Sequence, residues 1–184
     1  MGEGCEKMYY GEKVKLRAYK REDVTRACEF VNDSEVKLHL VSDIPYPTMF
    51  DQELKWIEEQ INLKDGYNFA IEALEESKYI GGCGIFRIDW LNRTTMVGIM
   101  IGDKDYWNKG YGTDTMKVLI KFIFEHMNLN KIKLNVFGFN KRAIKCYEKC
   151  GFKVEGILKQ ELFRDGQYYD EYAMALLKEE WVQL

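Results

Sequence analysis

The stretch Tyr106-Trp107-Asn108-Lys109-Gly110-Tyr111-Gly112-Thr113 constrains this chain more than any other. An apolar run, Met96 to Ile101, precedes it, and a long amphipathic pattern follows. The loop therefore joins a strand to a helix, with glycines at the joint. A helix start offers unpaired N–H groups and the positive end of the helix dipole. Gly110 and Gly112 permit positive φ and let a ligand approach the main chain. The pattern predicts a cradle for an anion such as a pyrophosphate.

On both sides of that joint the hydrophobic period switches between strand and helix. Residues 14–19 alternate as a strand. Residues 21–31 carry Val24, Ala27, Cys28 and Val31 at helical spacing, and Asn32-Asp33-Ser34 breaks that helix and caps a short second one over 35–41. Both prolines lie in Ile44-Pro45-Tyr46-Pro47, a stiff loop. A third helix is expected over 50–63. Residues 67–74, 79–90 and 94–101 read as a meander of β-branched and aromatic strands. After the glycine loop, Met116, Leu119, Ile120, Ile123, Phe124 and Met127 form the core-facing stripe of a helix over 113–127. Residues 131–137 alternate, and a strand following a helix is expected to pair parallel to the strand before it. Asn140 caps a helix reaching Cys150, and Gly151 suits its C-terminal turn. Asp165-Gly166 between two strand-like runs, 153–164 and 167–177, is a hairpin signal. The expectation is one domain over residues 1–184, with 1–12 a loose leader. Its class is α+β: a twisted, mostly antiparallel sheet of about seven strands, flanking helices and one parallel β-α-β crossover.

The chain has 184 residues, 46% apolar and 31% charged, enough to bury a core without disulfide or metal help. A formal net charge of −3 gives no basic excess for phosphate contacts, which argues against nucleic acid as a partner and suits a cationic acceptor. The cysteines at 5, 28, 83, 146 and 150 form no C-x-x-C pair, and only His39 and His126 are there to complete a zinc site. Reduced thiols and no metal are expected. No apolar run reaches membrane-spanning length and the first residues hold no signal-peptide core, so a cytoplasmic protein without a membrane partner is expected.

Three phosphate-binding patterns compete for the loop. The chain contains no G-x-x-x-x-G-K-[ST]. The pattern G-x-G-x-x-G fails at its third glycine, because Gly110-Tyr111-Gly112-Thr113-Asp114-Thr115 ends on threonine. Gly81-Gly82-Cys83-Gly84 opens no helix, since Ile85-Phe86-Arg87-Ile88 alternates as a strand; its glycines read as a thin strand or bulge. What remains is a glycine pair opening a helix after an antiparallel strand. It comes with a downstream N-x-x-A-x-x-x-Y-x-x-x-G-F, here Asn140, Ala143, Tyr147, Gly151 and Phe152. In these two motifs, and over nearly its whole length, the chain resembles the GNAT superfamily of acyl-CoA-dependent N-acetyltransferases. It looks most like the branch holding Rim-type N-terminal acetyltransferases and spermidine N-acetyltransferases.

The resemblance implies roles. Main-chain N–H groups of Lys109, Gly110, Tyr111, Gly112 and Thr113, with Trp107 and Asn108 ahead of them, would hold the pyrophosphate of acetyl-CoA. Ile99, Met100 and Ile101 would pair with the pantetheine arm, and Asn140 would lie near it. Tyr147 would be the general acid. The acceptor would be a primary amine (a protein N-terminal α-amine, a polyamine or a small-molecule amine) attacking directly in a ternary complex. The relatives are often homodimers. A phenol of pKa about 10 is neutral at pH 7 and can protonate a thiolate whose thiol lies near about 8.5. On spacing alone, Tyr147 reads first as a helix aromatic packed with Ala143, Ile144 and Phe152; the motif around it brings in the acid role.

The chain departs from the family at two positions. Many relatives carry a glutamate two residues before the glycine of the strand ahead of the loop, and here Met96 stands there. Trp107 stands where an arginine would touch phosphate, and Lys109 is the expected compensation. Glu35, Asp43, Asp51, Asp89 and Glu161 lie in segments expected near the acceptor, and a solvated surface role is the simpler reading of each. Two other functions compete: a non-catalytic acyl-CoA-binding sensor on the same fold, which Met96 favours and Tyr147 disfavours, and a dinucleotide-binding protein.

Overall fold

Period-two alternation is realised as one seven-stranded sheet in a computed structural model that describes residues 7–60 and 65–181. The strands are β1 (Val14–Arg17), β2 (Gly66–Ala73), β3 (Lys78–Asp89), β4 (Thr94–Ile101), β5 (Lys131–Phe137), β6 (Lys153–Arg164) and β7 (Gln167–Leu177). Their order is β1-β2-β3-β4-β5-β7-β6. All neighbours are antiparallel except β4 and β5, which are parallel, as expected for a strand that follows a helical crossover. The α+β class and the single parallel crossover are therefore as expected.

Helices cover both faces. On one face lie α1 (Val24–Asn32), α2 (Ser34–Leu40) and α3 (Phe50–Glu59), packed through Val24, Ala27, Phe30 and Ile57 onto Ala70 and Tyr79. On the other lie α4 (Tyr111–His126) and α5 (Lys141–Lys149). The stripe Met116, Leu119, Ile120, Ile123 and Phe124 is buried against Ile85, Val97, Ile132 and Leu134. Each such side chain contributes about 1.5–3 kcal/mol of burial, so this layer fixes where α4 begins. A short terminal turn, Lys178–Trp181, lays Trp181 against Phe124.

Several boundaries differ from expectation for local reasons. The first helix opens as a 3-10 turn, Arg21–Asp23, because Arg17 and the Lys20 N–H both bond the Asp23 carboxylate. The third helix is described to Glu59, and the rest of its expected run passes into residues 61–64, outside the described residues. The glycines of β3 do make a thin strand: a Cβ on Gly82 would lie 2.0 Å from the Tyr19 hydroxyl. Of the expected loose leader, residues 1–6 lie outside the described residues, whereas residues 7–12 are packed. Tyr9 sits between Phe69 and Phe122, and the Asp114 carboxylate accepts from the N–H groups of Glu12, Lys13 and Val14 at 2.8–3.1 Å. Among the described residues no helix is long and apolar enough to cross a membrane.

Candidate active site

The site follows from a break in the sheet. β4 and β5 pair only through Thr94–Lys131, Thr95–Ile132 and Met96–Lys133. Beyond these, β4 continues along β3 to Ile101 and β5 continues along β7 to Phe137, so the two strands part. A cleft of about 570 Å³ occupies the wedge. It passes from one face of the sheet to the other. Val97, Ile99 and Ile101 point to the α4 face, and Met96, Gly98 and Met100 to the α1–α3 face, by strand alternation. Along the open edge of β4 the main-chain groups that would bond a neighbouring strand have no strand partner.

At the α4 face the cleft ends on the glycine loop. Asp103 pins the loop's start: it accepts from the Asp105 N–H and pairs with Arg26 at 2.7 Å and Lys78 at 3.0 Å. The Trp107 indole N–H donates to the Ile101 carbonyl at 2.6 Å, which ties the loop back to the strand. Gly110, at φ 89°, turns the chain into α4 and supplies no side-chain cap. The Asp114 N–H bonds the Gly110 carbonyl, and the Asp114 carboxylate is turned away onto residues 12–14. The N–H groups of Tyr111, Gly112 and Thr113 thus remain as uncapped donors at the positive end of a 16-residue helix. Gly112 lines the cleft, and a Cβ there would meet only ordinary contacts, Cys146 Sγ at 3.6 Å and Ile101 at 3.9 Å. Neither packing nor backbone demands glycine at 112; the open cradle above it does. Uncapped donors, an open cradle and nearby cations are a donor set that fits a diphosphate.

The cations come from α5. Arg142, Lys145 and Lys149 line the cleft at i, i+3 and i+7, one face of that helix. Arg142 stacks over the Trp107 ring, its guanidinium carbon 3.4 Å from the centroid. Sequence reasoning missed this stripe, although its spacing is visible inside the second motif. It gave the compensating role to Lys109, which is exposed and does not line the cleft. Tyr111 likewise offers only its main chain, because its ring is buried edge-on against Tyr106 at 4.8 Å. Trp107, Asn108, Gly110, Gly112 and Thr113 line the cleft, and so do Ile99, Met100 and Ile101.

Asn140 and Tyr147 also face the cleft. The Asn140 side-chain oxygen caps α5 by accepting from the Ala143 N–H at 3.1 Å, leaving its amide hydrogens as donors. Tyr147 is 7% exposed, its ring edge-on to Phe152 at 5.9 Å. Burial pushes the phenol above its ordinary value of 10, with Cys146 and Cys150 adding to the rise. It is therefore a neutral donor at pH 7. Cys146 also lines the cleft; hydrogen bonding from Cys150, and then from the Thr113 hydroxyl at 3.5 Å, draws its thiol below the usual range.

At the α1–α3 face the cleft is lined by His39 and Leu40 from α2, Phe86 and Arg87 from β3, Met96 from β4, Asn135 from β5 and Glu171 from β7. The Asn135 amide donates to Glu171 at 2.9 Å. Burial raises the Glu171 pKa and Glu161 adds to the rise, while the Asn135 bond opposes it. His39 has a buried Nδ1 without a partner, and burial followed by Arg142 lowers its pKa below 6.5 against a raising effect of Glu35. None of Glu35, Asp43, Asp51, Asp89 and Glu161 lines the cleft. Glu35 pairs with Lys104 at 3.5 Å and Asp89 holds the turn at Asn92. Nothing in the sequence marks Glu171, because its place depends on the register of β7 against β5.

Residues 13–153 match the family model of the Acetyltransferase (GNAT) domain. The chain belongs to this family. It is similar to the uncharacterized N-acetyltransferase p20 of Bacillus licheniformis, with 30% identity over 175 residues, covering 94% of this chain and 97% of that protein. It is also similar to the spermidine N(1)-acetyltransferase of Escherichia coli K12, with 28% identity over 177 residues, covering 92% and 88%. Its fold matches the crystal structure of spermidine N-acetyltransferase from Vibrio cholerae in complex with CoA and spermine. There the TM-score is 0.82 at 26% identity, covering 92% of this chain and 98% of that one. The protein is an acetyltransferase that moves an acetyl group from acetyl-CoA to an amine.

Proposed function

We propose that acetyl-CoA enters from the α4 face and that a primary amine with a single cationic centre meets its thioester in the wedge between β4 and β5. The three uncapped N–H groups at the start of α4, beside the Arg142, Lys145 and Lys149 stripe, carry this reading. They would hold the diphosphate, while the open edge of β4 would pair with the pantetheine amides as a further strand does. Ile101 would contribute its N–H but not its carbonyl, which Trp107 occupies. Asn140 would donate to the same arm.

Acetyl-CoA supplies an activated thioester. The chain's part is to orient it, to keep bulk water from the wedge and to place a proton at the departing sulfur. Tyr147 does the last. Its phenol is held neutral by burial and so donates without leaving a buried charge in the resting state. Attack is direct, in a ternary complex, since amine and thioester reach the wedge from opposite faces.

The single-ammonium acceptor follows from charge. Glu171 is the only carboxylate among the described residues that line the cleft, and Arg87 stands at the same end. The polyamines named for two of the similar proteins bring several ammonium groups, and this end offers them one anion. The test is thiol release from acetyl-CoA over a panel of monoamines, amino-acid amides, peptides and spermidine. The expected result is a higher kcat/KM for a monoamine than for spermidine. Spermidine as the best acceptor would replace the monoamine reading with the polyamine one. CoA binding without thiol release from any amine would favour a sensor.

A further inference from the structure

We propose that Glu171 takes the proton of the acceptor amine, doing from β7 what a carboxylate at position 96 would do from β4. The inference rests on the acetyl-transfer reading above. Strand register carries it. Met96 pairs with Lys133, and alternation puts Lys133, Asn135 and Phe137 on one face of β5. Phe137 pairs with Glu171, so Glu171 shares the face onto which Met96 points. Met96 stands at the closed end of the wedge, in the last β4–β5 pair, and Glu171 lies level with Phe137, four residues further along where the strands have parted; both side chains line the same cleft.

Asn135 is the positioning residue. Its amide donates to Glu171 Oε2 at 2.9 Å, which restrains the carboxylate and leaves Oε1 for the amine. Other charged or titratable groups on this face or in this cleft include Lys131 and Lys133 on β5, Glu161 on β6, Arg87 on β3, His39 on α2, Tyr147 on α5 and Tyr106 before the glycine loop. Arg142, Lys145, Lys149 and Cys146 lie at the anion-binding end. Burial, with Glu161 adding to it and the Asn135 bond opposing it, makes Glu171 a stronger base than a free carboxylate, and no lysine or arginine ion pair with it is present among the described residues.

The step balances as follows. One N–H bond of the ammonium breaks, its electron pair stays on nitrogen, and the proton goes to Glu171 Oε1. The nitrogen pair forms the C–N bond to the acetyl carbon. The C–S bond breaks, and the sulfur takes the Tyr147 proton. The nitrogen's second proton re-forms the phenol, and Glu171 releases its own to solvent.

The test compares wild type, E171Q, N135A and the double variant M96E/E171Q, reading kcat/KM against pH and CoA affinity by calorimetry. E171Q is isosteric and keeps an acceptor for Asn135. It should lose about 10²-fold in kcat/KM at pH 7 with unchanged CoA affinity. The loss should shrink as pH approaches the amine's own pKa, because free amine then needs no base. A carboxylate restored on the opposite bank, in M96E/E171Q, should recover about tenfold or more of that loss. N135A should move the acid limb of the profile without removing it. An E171Q enzyme within about threefold of wild type at pH 7, or a loss that is the same at every pH, overturns the role of Glu171 while leaving acetyl transfer standing. A wild-type chain that binds CoA and acetylates no amine overturns both.

Discussion

The anion-binding end of the cleft and the acceptor end are assembled in opposite ways. The first comes from two short stretches, the loop around Trp107 to Thr113 and the helix from Asn140 to Lys149, and its donors are largely main-chain groups fixed by helix geometry. The second gathers one or two side chains each from α2, β3, β4, β5 and β7. A site built from a helix start tolerates change in most of its side chains, since the N–H groups stay whatever they are attached to. A site built from scattered side chains on separate elements depends on each of those side chains. The same scaffold can therefore keep its acyl donor while the place of the base moves from β4 to β7.

Tyr147 lines the cleft that both ends share, and its removal should have the largest effect. Tyr147→Phe keeps the ring packed on Phe152 and removes the proton. A fall in kcat of about 10³-fold is expected, with thermal stability and CoA affinity unchanged. Steady-state kinetics beside calorimetry check it, and an unchanged kcat would take the acid role from Tyr147. A substitution in the cradle should come next, and on one end only. Gly112→Val fills the space above the α4 N-terminus, so CoA affinity should fall about 30-fold, the worth of one or two charge-assisted hydrogen bonds. Acceptor selectivity should not move. If it does, the two ends are not separable.

That separability also explains what the sequence could disclose. The strand–loop–helix joint, the α4 stripe and the second motif are local, and periodicity with glycine chemistry exposes them before any contact is known. Even there, the sequence points to Lys109 for the phosphate contact and not to Arg142, because it shows a cation in the loop but not that Arg142 lies flat on Trp107. The pair Asn135 and Glu171 lie 36 residues apart and meet only because β7 runs antiparallel to β5 in one particular register. A slip of one residue would turn Glu171 to the other face. The carboxylates that the sequence suggested for the acceptor end were named by segment, and segment membership does not say which face a side chain takes.

The contrast between Arg142 and Lys109 gives a smaller test of the anion-binding end. Arg142→Gln should weaken CoA binding about tenfold at low ionic strength and less in high salt, as expected for a lost charge-assisted contact. Lys109→Ala should change it less than about twofold, because an exposed lysine outside the cleft adds only screened attraction. Equal effects would return the phosphate role to the loop, as the sequence alone proposed.

His39, at the acceptor end, should give the smallest effect and one visible through pH. Its charged form is disfavoured in the fold by burial and then by Arg142, so its folded pKa lies below the unfolded value of about 6.5. Between the two values the unfolded chain binds more protons than the native one, and stability therefore falls as pH drops through about 6.5 toward the folded pKa. His39→Phe retains an aromatic ring against Phe139 and removes both the titration and the buried, unpartnered Nδ1. The variant should lose less thermal stability than wild type between about pH 7 and about pH 5.5, by scanning calorimetry at matched ionic strength. CoA affinity should be the same in both, since the ring stands on the acceptor bank of the wedge. Equal acid sensitivity in the two chains would mean that His39 titrates alike in the folded and unfolded chain, with Glu35 offsetting burial and Arg142, and that the acceptor end gains a positive charge only as pH falls below about 6.5.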